Sequence, residues 1–143
     1  ISVISSTSGT GTVSLDGVIG GTSAPSTLTI GTSSNRVASL SVNDARATGA
    51  VNVDVSGSIT ELGTDTGADL SGTVFTLRSG TGIGTSVNAL ETAADDLTAS
   101  VSGVGLINIS DANAIVLTEV TTTDGNITVA TTGAGDLTIE NVN

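Results

Sequence analysis

The chain has 143 residues, 19 of them glycine, and a formal net charge of −11 at pH 7, from three arginines against 14 acidic residues. It contains no lysine, histidine, cysteine, methionine, tryptophan or tyrosine, and a single phenylalanine, Phe75. Without cysteine or histidine the chain has no disulfides, no metal sites of those residues and no Ser-His-Asp catalysis, and without lysine it has no Ser-Lys catalysis. The excess of acidic residues excludes electrostatic binding to nucleic acid.

Apolar alternation predicts many short strands, with turn residues in the gaps between them. In chain order the strands are predicted at Val3, Val13–Leu15, Leu28–Ile30, Leu40–Val42, Val51–Val55, Ile59–Leu62, Val74–Leu77, Val87–Leu90, Leu97–Val101, Leu106–Ile109, Ile115–Val120, Ile127–Val129 and Leu137–Val142. Residues 5–12, 20–27 and 31–36 are predicted loops, and the lone proline, Pro25, lies in the second of them. Because valine, isoleucine and threonine favour a pleated backbone, the chain is predicted to be all-β.

The near absence of aromatic side chains indicates a thin core. Aliphatic side chains fill a narrow slot between layers, whereas wide spaces need phenylalanine or tryptophan. A β-solenoid has such a slot. An antiparallel β-sandwich, the alternative fold, usually contains a large buried aromatic residue.

A period of 20 residues in the second half of the chain favours the solenoid. It relates Leu77, Leu97, Leu117 and Leu137, then Val87, Ile107 and Ile127, then Ala89, Ile109 and Val129, and the turn residues Gly105 and Gly125. Residues 74–143 are therefore predicted to form regular coils and residues 1–73 irregular ones, in a single segment, 1–143, of about seven coils of roughly 20–22 residues. A chain that begins and ends in strand-like runs is expected to be a fragment of a longer repeat protein.

Glu119 interrupts this register, because it falls in the apolar column of Ala99 and Ile139. A bulge, turn or insertion is expected at this point. A shift of 22 residues also aligns the apolar residues of 115–120 with those of 137–142. That alignment requires two extra residues between 130 and 136.

Three stretches resemble the repeats of very large bacterial surface proteins. They are Thr81–Ser100, TGIGTSVNALETAADDLTAS, then Leu106–Asp111, LINISD, and Asp124–Val129, DGNITV. They are similar to repeats of filamentous-haemagglutinin-like and related β-strand-repeat adhesins, best over residues 74–143. The resemblance implies a right-handed parallel β-helix in a long extracellular stalk, without the secretion domain of that family.

The acidic residues are the candidate metal ligands. Asp65 and Asp69, the pair Asp95 and Asp96, or Asp124 could place carboxylates around calcium. The alternative is turn chemistry, since aspartate side chains bond to their own backbone in turns. The nonapeptide calcium repeat is absent, so no catalytic, cofactor-binding or metal residue is assigned, and no cofactor is expected beyond a possible calcium ion.

Four other patterns have both a functional and a plainer explanation. Glu91 and Asp111 share a column in the 20-residue register, as a chance acidic pair would. Paired carboxylates could cleave glycosides, although such sites usually have aromatic and basic helpers. A column of Thr98, Thr118 and Thr138 could bind ice, or could reflect β-propensity. Asn108 and Asn126 begin glycosylation-type tripeptides, which one ancestral repeat explains.

The expected function is structural: a stalk or fibre segment of a bacterial extracellular surface protein, not an enzyme, with neighbouring copies or flanking repeats as partners. Self-assembly into filaments is a further expectation, because end coils present unpaired strands. A glycan- or cell-binding module is the alternative, and a carboxylate-based polysaccharide-degrading enzyme the remote one. Membrane insertion and nucleic-acid binding are not expected, since no apolar run reaches membrane-spanning length and basic residues are few.

Overall fold

The structure is a computed structural model that describes residues 1–5, 7 and 9–143. In this part of the chain the regular structure is entirely β. The strands are β1 (Ser2–Val3), β2 (Val13–Ile19), β3 (Thr27–Ile30), β4 (Leu40–Arg46), β5 (Ala50–Asp54), β6 (Ser58–Glu61), β7 (Leu70–Ser71), β8 (Val74–Ser79), β9 (Gly82–Ile83), β10 (Leu90–Ala93), β11 (Asp96–Val104), β12 (Ile107–Asp111), β13 (Ile115–Asp124), β14 (Ile127–Thr131) and β15 (Leu137–Ile139). The structure contains no helix long and apolar enough to cross a membrane in the residues it describes.

The strands form two parallel sheets that run along the whole stack of coils. The first sheet has seven strands in the order β1-β3-β5-β8-β11-β13-β15. The second contains β10-β7-β4-β6-β9-β12-β14, with β2 paired to β4. Strands of the inner coils pair with strands of the coils before and after them. The chain winds through about six turns of about 22 residues, one turn fewer than predicted. The predicted β-solenoid is confirmed, and the antiparallel sandwich is wrong.

Aliphatic columns fill the space between the two sheets. One column of the first sheet runs through Leu28, Val51, Phe75, Leu97, Leu117 and Ile139. A second runs through Ile30, Val53, Leu77, Ala99 and Val120. The single phenylalanine is completely buried in the middle of the first column. Apart from Phe75 both columns are aliphatic, as the composition predicts.

The 20-residue register is only partly correct. Leu97 does pair with Leu117, as predicted. Leu77, however, stacks on Ala99, and Leu137 stacks on Ile115. The physical reason is that turn lengths differ between coils, so a fixed period drifts out of register with the ladder.

The predicted irregularity at Glu119 is a β-bulge. Leu97 pairs with Leu117 but Thr98 pairs with Glu119, so Thr118 is the extra residue and Glu119 leaves the apolar column. The shift of 22 residues is also confirmed, because Leu117 pairs with Ile139. The two extra residues lie between the end of β14 and the start of β15, where they were predicted.

The turns stack as closely as the strands. A side chain at Gly125 would collide with the carbonyl oxygen of Gly105, and one at Gly105 with that of Thr81. The shared turn position of Gly105 and Gly125 is therefore confirmed, and glycine is required there because successive backbones touch. The predicted loops at 20–27 and 31–36 lie largely between strands. In the predicted loop 5–12, residues 6 and 8 lie outside the part of the chain that the structure describes.

Candidate functional site

Two segments leave the second sheet in neighbouring coils and form adjacent loops on its surface. The continuous strand β12 pairs with both β9 and β10: Ile107 pairs with Ile83, and Ile109 pairs with Leu90. Residues 84–89 are thus looped out between β9 and β10. Residues 62–69 are looped out in the same way between β6 and β7, since β4 pairs with both of those strands. We call these segments the 62–69 loop and the 84–89 loop.

The local sequence explains why the chain turns in these loops. In the 62–69 loop, Asp65 Oδ1 accepts a hydrogen bond of 2.7 Å from the backbone N–H of Gly67, an Asx-turn. In the 84–89 loop, Gly84 adopts a φ of 69°, which favours glycine. Thr85 and Asn88 then close the turn, with the Asn88 N–H donating to Thr85 Oγ1 at 3.0 Å.

Asn88 connects the two loops. Its side-chain amide donates to Glu61 Oε2, at the end of β6, and to the carbonyl oxygen of Gly63 at 3.2 Å. The other oxygen of Glu61 accepts a hydrogen bond of 2.9 Å from the Asp65 N–H. Glu61 is therefore fixed at the base of the loops by donors from both of them.

The carboxylates of Glu61, Asp69 and Glu91 lie close together beside the two loops. We call these three residues the acidic cluster. One oxygen of each lies within 4.8 Å of the others. Asp69 has no exposed surface, while Glu61 and Glu91 are half-buried. Asp69 Oδ2 accepts a hydrogen bond of 2.9 Å from the Glu91 N–H. Asp69 Oδ1 and Glu91 Oε2 are both buried and accept no hydrogen bond from the residues that the structure describes.

Burial and the neighbouring carboxylates raise the pKa values of Asp69 and Glu91. Burial raises the pKa of Asp69 to about 8, the hydrogen bond from Glu91 N–H opposes this, and the charge of Glu61 adds to it. Burial also raises the pKa of Glu91, and the charge of Glu61 contributes in the same direction. A carboxylate without a donor or counter-ion is costly to bury. The cluster therefore favours any species that brings positive charge or a proton to it.

A shallow groove of about 330 Å³ runs beside the acidic cluster. Its lining consists of Thr66, Ala68, Glu91, Thr92, Ser110, Ala112 and Thr132. Glu91 is the one carboxylate among these described residues, and none of them is aromatic. The groove gives water access to Glu91.

The sequence-based candidates for metal ligands are dispersed by the fold. Asp69 lies in the acidic cluster, while Asp65 is exposed in the 62–69 loop. Asp95 and Asp96 lie at the start of β11, and Asp124 is exposed at the end of β13. The partners of Asp69 were missed, because Glu61 and Glu91 approach it only through the looped-out segments. No spacing in the sequence indicates that approach.

Two sequence-based columns are wrong. Glu91 pairs with Ser110, and Asp111 pairs with Thr92, so the acidic column of Glu91 and Asp111 does not exist. Thr98 pairs with Thr76 on one side and Glu119 on the other. The threonine column proposed for ice binding is therefore broken by the bulge.

The asparagines of the two glycosylation-type tripeptides have different surroundings. Asn108 donates a hydrogen bond of 2.7 Å from its side chain to the carbonyl oxygen of Thr85, at the 84–89 loop. It stacks on Thr128, and Asn126 lies just before β14. Asn108 therefore attaches the 84–89 loop to β12.

The last coil exposes the apolar residues that inner coils bury. Leu137, Ile139 and Val142 are 38%, 61% and 39% exposed, although they continue the columns of Ile115, Leu117 and Val120. At the other end Ile1 and Ile4 are exposed. Both ends of the described stack thus present uncovered apolar side chains.

Comparison with protein-family models, with curated proteins and with solved structures gave no significant match to this chain.

Proposed function

We propose that the chain is a stalk or fibre segment of a bacterial extracellular surface protein, with no catalytic role. The observation that carries the proposal is the continuity of the first sheet, whose seven strands link every coil from β1 to β15. At about 4.8 Å per coil, six turns make a rod of roughly 29 Å. A structure whose repeats contact only their neighbours can be lengthened indefinitely by adding coils.

Surface charge and composition support the same role. The net charge of −11 repels neighbouring rods and keeps them apart. Cohesion then rests on ladder hydrogen bonds and stacked aliphatic side chains, since the chain has neither cysteine for disulfides nor lysine for isopeptide bonds. These are the properties of a spacer that has to be long and stiff.

The end coils support a proposal about the partner. An uncovered coil offers both unpaired strand edges and apolar side chains, and a further coil satisfies both at once. The partners we propose are flanking repeats of the same protein or the end coil of another copy. Ile139, at 61% exposed in β15, is the position at which such a contact is most easily tested.

The experiment is sedimentation velocity and negative-stain electron microscopy of the purified chain over a range of concentrations. We expect end-to-end assemblies that lengthen with concentration, and Ile139→Asp should shorten them. Val87→Asp is the matched control, because Val87 is 93% exposed in the 84–89 loop, away from the ends. A wild-type chain that stays monomeric throughout would refute self-assembly, and specific glycan binding on an array would favour the binding-module alternative.

A further inference from the structure

We propose that Glu61, Asp69 and Glu91 bind one calcium ion at the base of the 62–69 and 84–89 loops. The proposal stands on the geometry of the acidic cluster, and it holds whether or not the chain serves as a stalk.

The separation of the three carboxylates fits a single ion. Calcium is bound by oxygen atoms at roughly 2.3–2.6 Å, so two ligand atoms of one ion can be at most about 5 Å apart. One oxygen from each of the three carboxylates lies within 4.8 Å of the others. These separations allow a single ion to contact all three carboxylates.

The unpartnered oxygen of Asp69 is the observation that points to a ligand. Asp69 is 0% exposed, and its Oδ1 has no hydrogen-bond donor in the described part of the chain, although Oδ2 accepts a hydrogen bond from the Glu91 N–H. Glu91 Oε2 is buried and unpartnered in the same way. Buried polar atoms are nearly always satisfied, by protein groups, water or an ion. A cation bound between the two carboxylates would satisfy both oxygens at once.

Two of the three arginines pair with other carboxylates, and the third lies on the first sheet. Arg46, which lies in register with Ser71, is bound to Asp44 by two hydrogen bonds of 2.7 Å. Arg36 forms an ion pair of 2.6 Å with Asp54 on the first sheet, where Arg78 also lies. With no lysine or histidine in the sequence, a counter-charge for the acidic cluster has to come from solution.

The donor set selects the kind of ion. Three carboxylates are hard oxygen ligands, which suit calcium or magnesium and not the softer transition metals. Calcium accepts irregular coordination by protein oxygens, whereas magnesium requires a near-octahedral shell and keeps several waters. The acidic cluster is irregular, because Glu61 ends a strand, Asp69 ends a loop and Glu91 lies within a strand. Water can reach the cluster through the groove that Glu91 borders.

Bound calcium would hold the ends of both loops against the second sheet. Glu61 is already tied to Asp65 and to Asn88, one in each loop. Asp69 ends the 62–69 loop, and Glu91 follows the 84–89 loop. Neutralising the repulsion between their carboxylates therefore stabilises the segment in which the second sheet is interrupted.

The test is isothermal titration of the chelator-treated chain with CaCl2, together with its thermal unfolding in CaCl2 and in chelator. We expect one calcium ion per chain, a rise in the unfolding temperature with CaCl2, and weaker binding of magnesium. Glu91→Gln and Asp69→Asn should each weaken calcium binding by at least about tenfold, because each removes one charged ligand.

Glu119→Gln is the control, since Glu119 is exposed in the bulge of β13 and its loss changes the net charge equally. It should bind calcium as the wild type does. Circular dichroism verifies that each variant is folded, and Glu61→Gln replaces Asp69→Asn if the latter does not fold. The proposal is overturned if the wild type shows no binding heat and no thermal shift up to about 10 mM CaCl2, or if Glu119→Gln weakens binding as much as Glu91→Gln.

Discussion

Thr92 donates a hydrogen bond of 2.6 Å from its hydroxyl group to Asp111 Oδ2 in the next coil, and both side chains are buried. The same carboxylate accepts hydrogen bonds from the backbone N–H groups of Ala94, at 3.0 Å, and Asn113, at 2.8 Å. Burial raises the pKa of Asp111, and these three hydrogen bonds oppose the rise. Asp111 thus joins two successive turns at the end of β12, at the cost of holding a carboxylate away from water.

Asp111 should make the chain less stable as the pH rises. Its pKa is above the ordinary value of 3.8 in the folded chain, so the folded state binds the proton more tightly than the unfolded state. The corresponding stability is present below pH 3.8 and is lost as the pH rises through the folded-state pKa. The variant Asp111→Asn lacks this contribution. Its free energy of unfolding should therefore fall less than that of the wild type as the pH rises from 3.8 through the folded-state pKa of Asp111. Urea unfolding of both proteins over a pH series measures the difference, and equal pH profiles would contradict the prediction.

Truncating the stacked leucines should be strongly destabilising. Leu97 is 0% exposed and lies between Phe75 and Leu117, so Leu97→Ala leaves a cavity that two flanking coils cannot close. We expect a loss of about 2–5 kcal/mol in the free energy of unfolding. Val87→Ala, at a side chain 93% exposed, should change it by less than about 0.5 kcal/mol. Chemical denaturation distinguishes the two, and similar losses would mean that the columns do not carry the stability.

Replacing Gly84 should disturb the start of the 84–89 loop. Its φ is 69°, and an added Cβ would collide with the carbonyl oxygen of Asn108 in the next coil. Gly84→Ala should therefore lower the free energy of unfolding by more than about 1 kcal/mol. Gly17→Ala is the control, because a Cβ there meets nothing and φ is ordinary; it should be neutral or slightly stabilising. An equal effect of both substitutions on thermal unfolding would argue against this packing.

Asn88 should hold the two loops together. Asn88→Ala removes the donors to Glu61 and to the carbonyl oxygen of Gly63, so both loops lose their mutual anchor. We expect faster amide exchange in residues 62–69 and 84–89, at a cost of about 1 kcal/mol in local stability. Exchange in β11 should be unchanged, because β11 lies in the other sheet. Hydrogen exchange with mass spectrometry measures both, and unchanged protection in the loops would contradict the prediction.

Side-chain alternation revealed most strands, but not the places where the chain leaves the ladder. The sequence predicts Val87 in a strand and in one column with Ile107, but Val87 is exposed in the 84–89 loop. Leu90, and not Ala89, stacks on Ile109. Strands β7 and β9, each of two residues, were missed. They are too short to show alternation, and only their pairing with longer neighbours identifies them.

The sequence by itself determined the class of structure, because valine, isoleucine, leucine and threonine in alternation can form sheets, and a core nearly without aromatic residues has to be thin. It also located the bulge near Glu119 and the two extra residues before β15. Tertiary structure alone decided the stacking register, since register depends on how many residues each turn absorbs. It alone brought Glu61, Asp69 and Glu91 together, because their proximity arises from two looped-out segments that neighbouring coils place side by side.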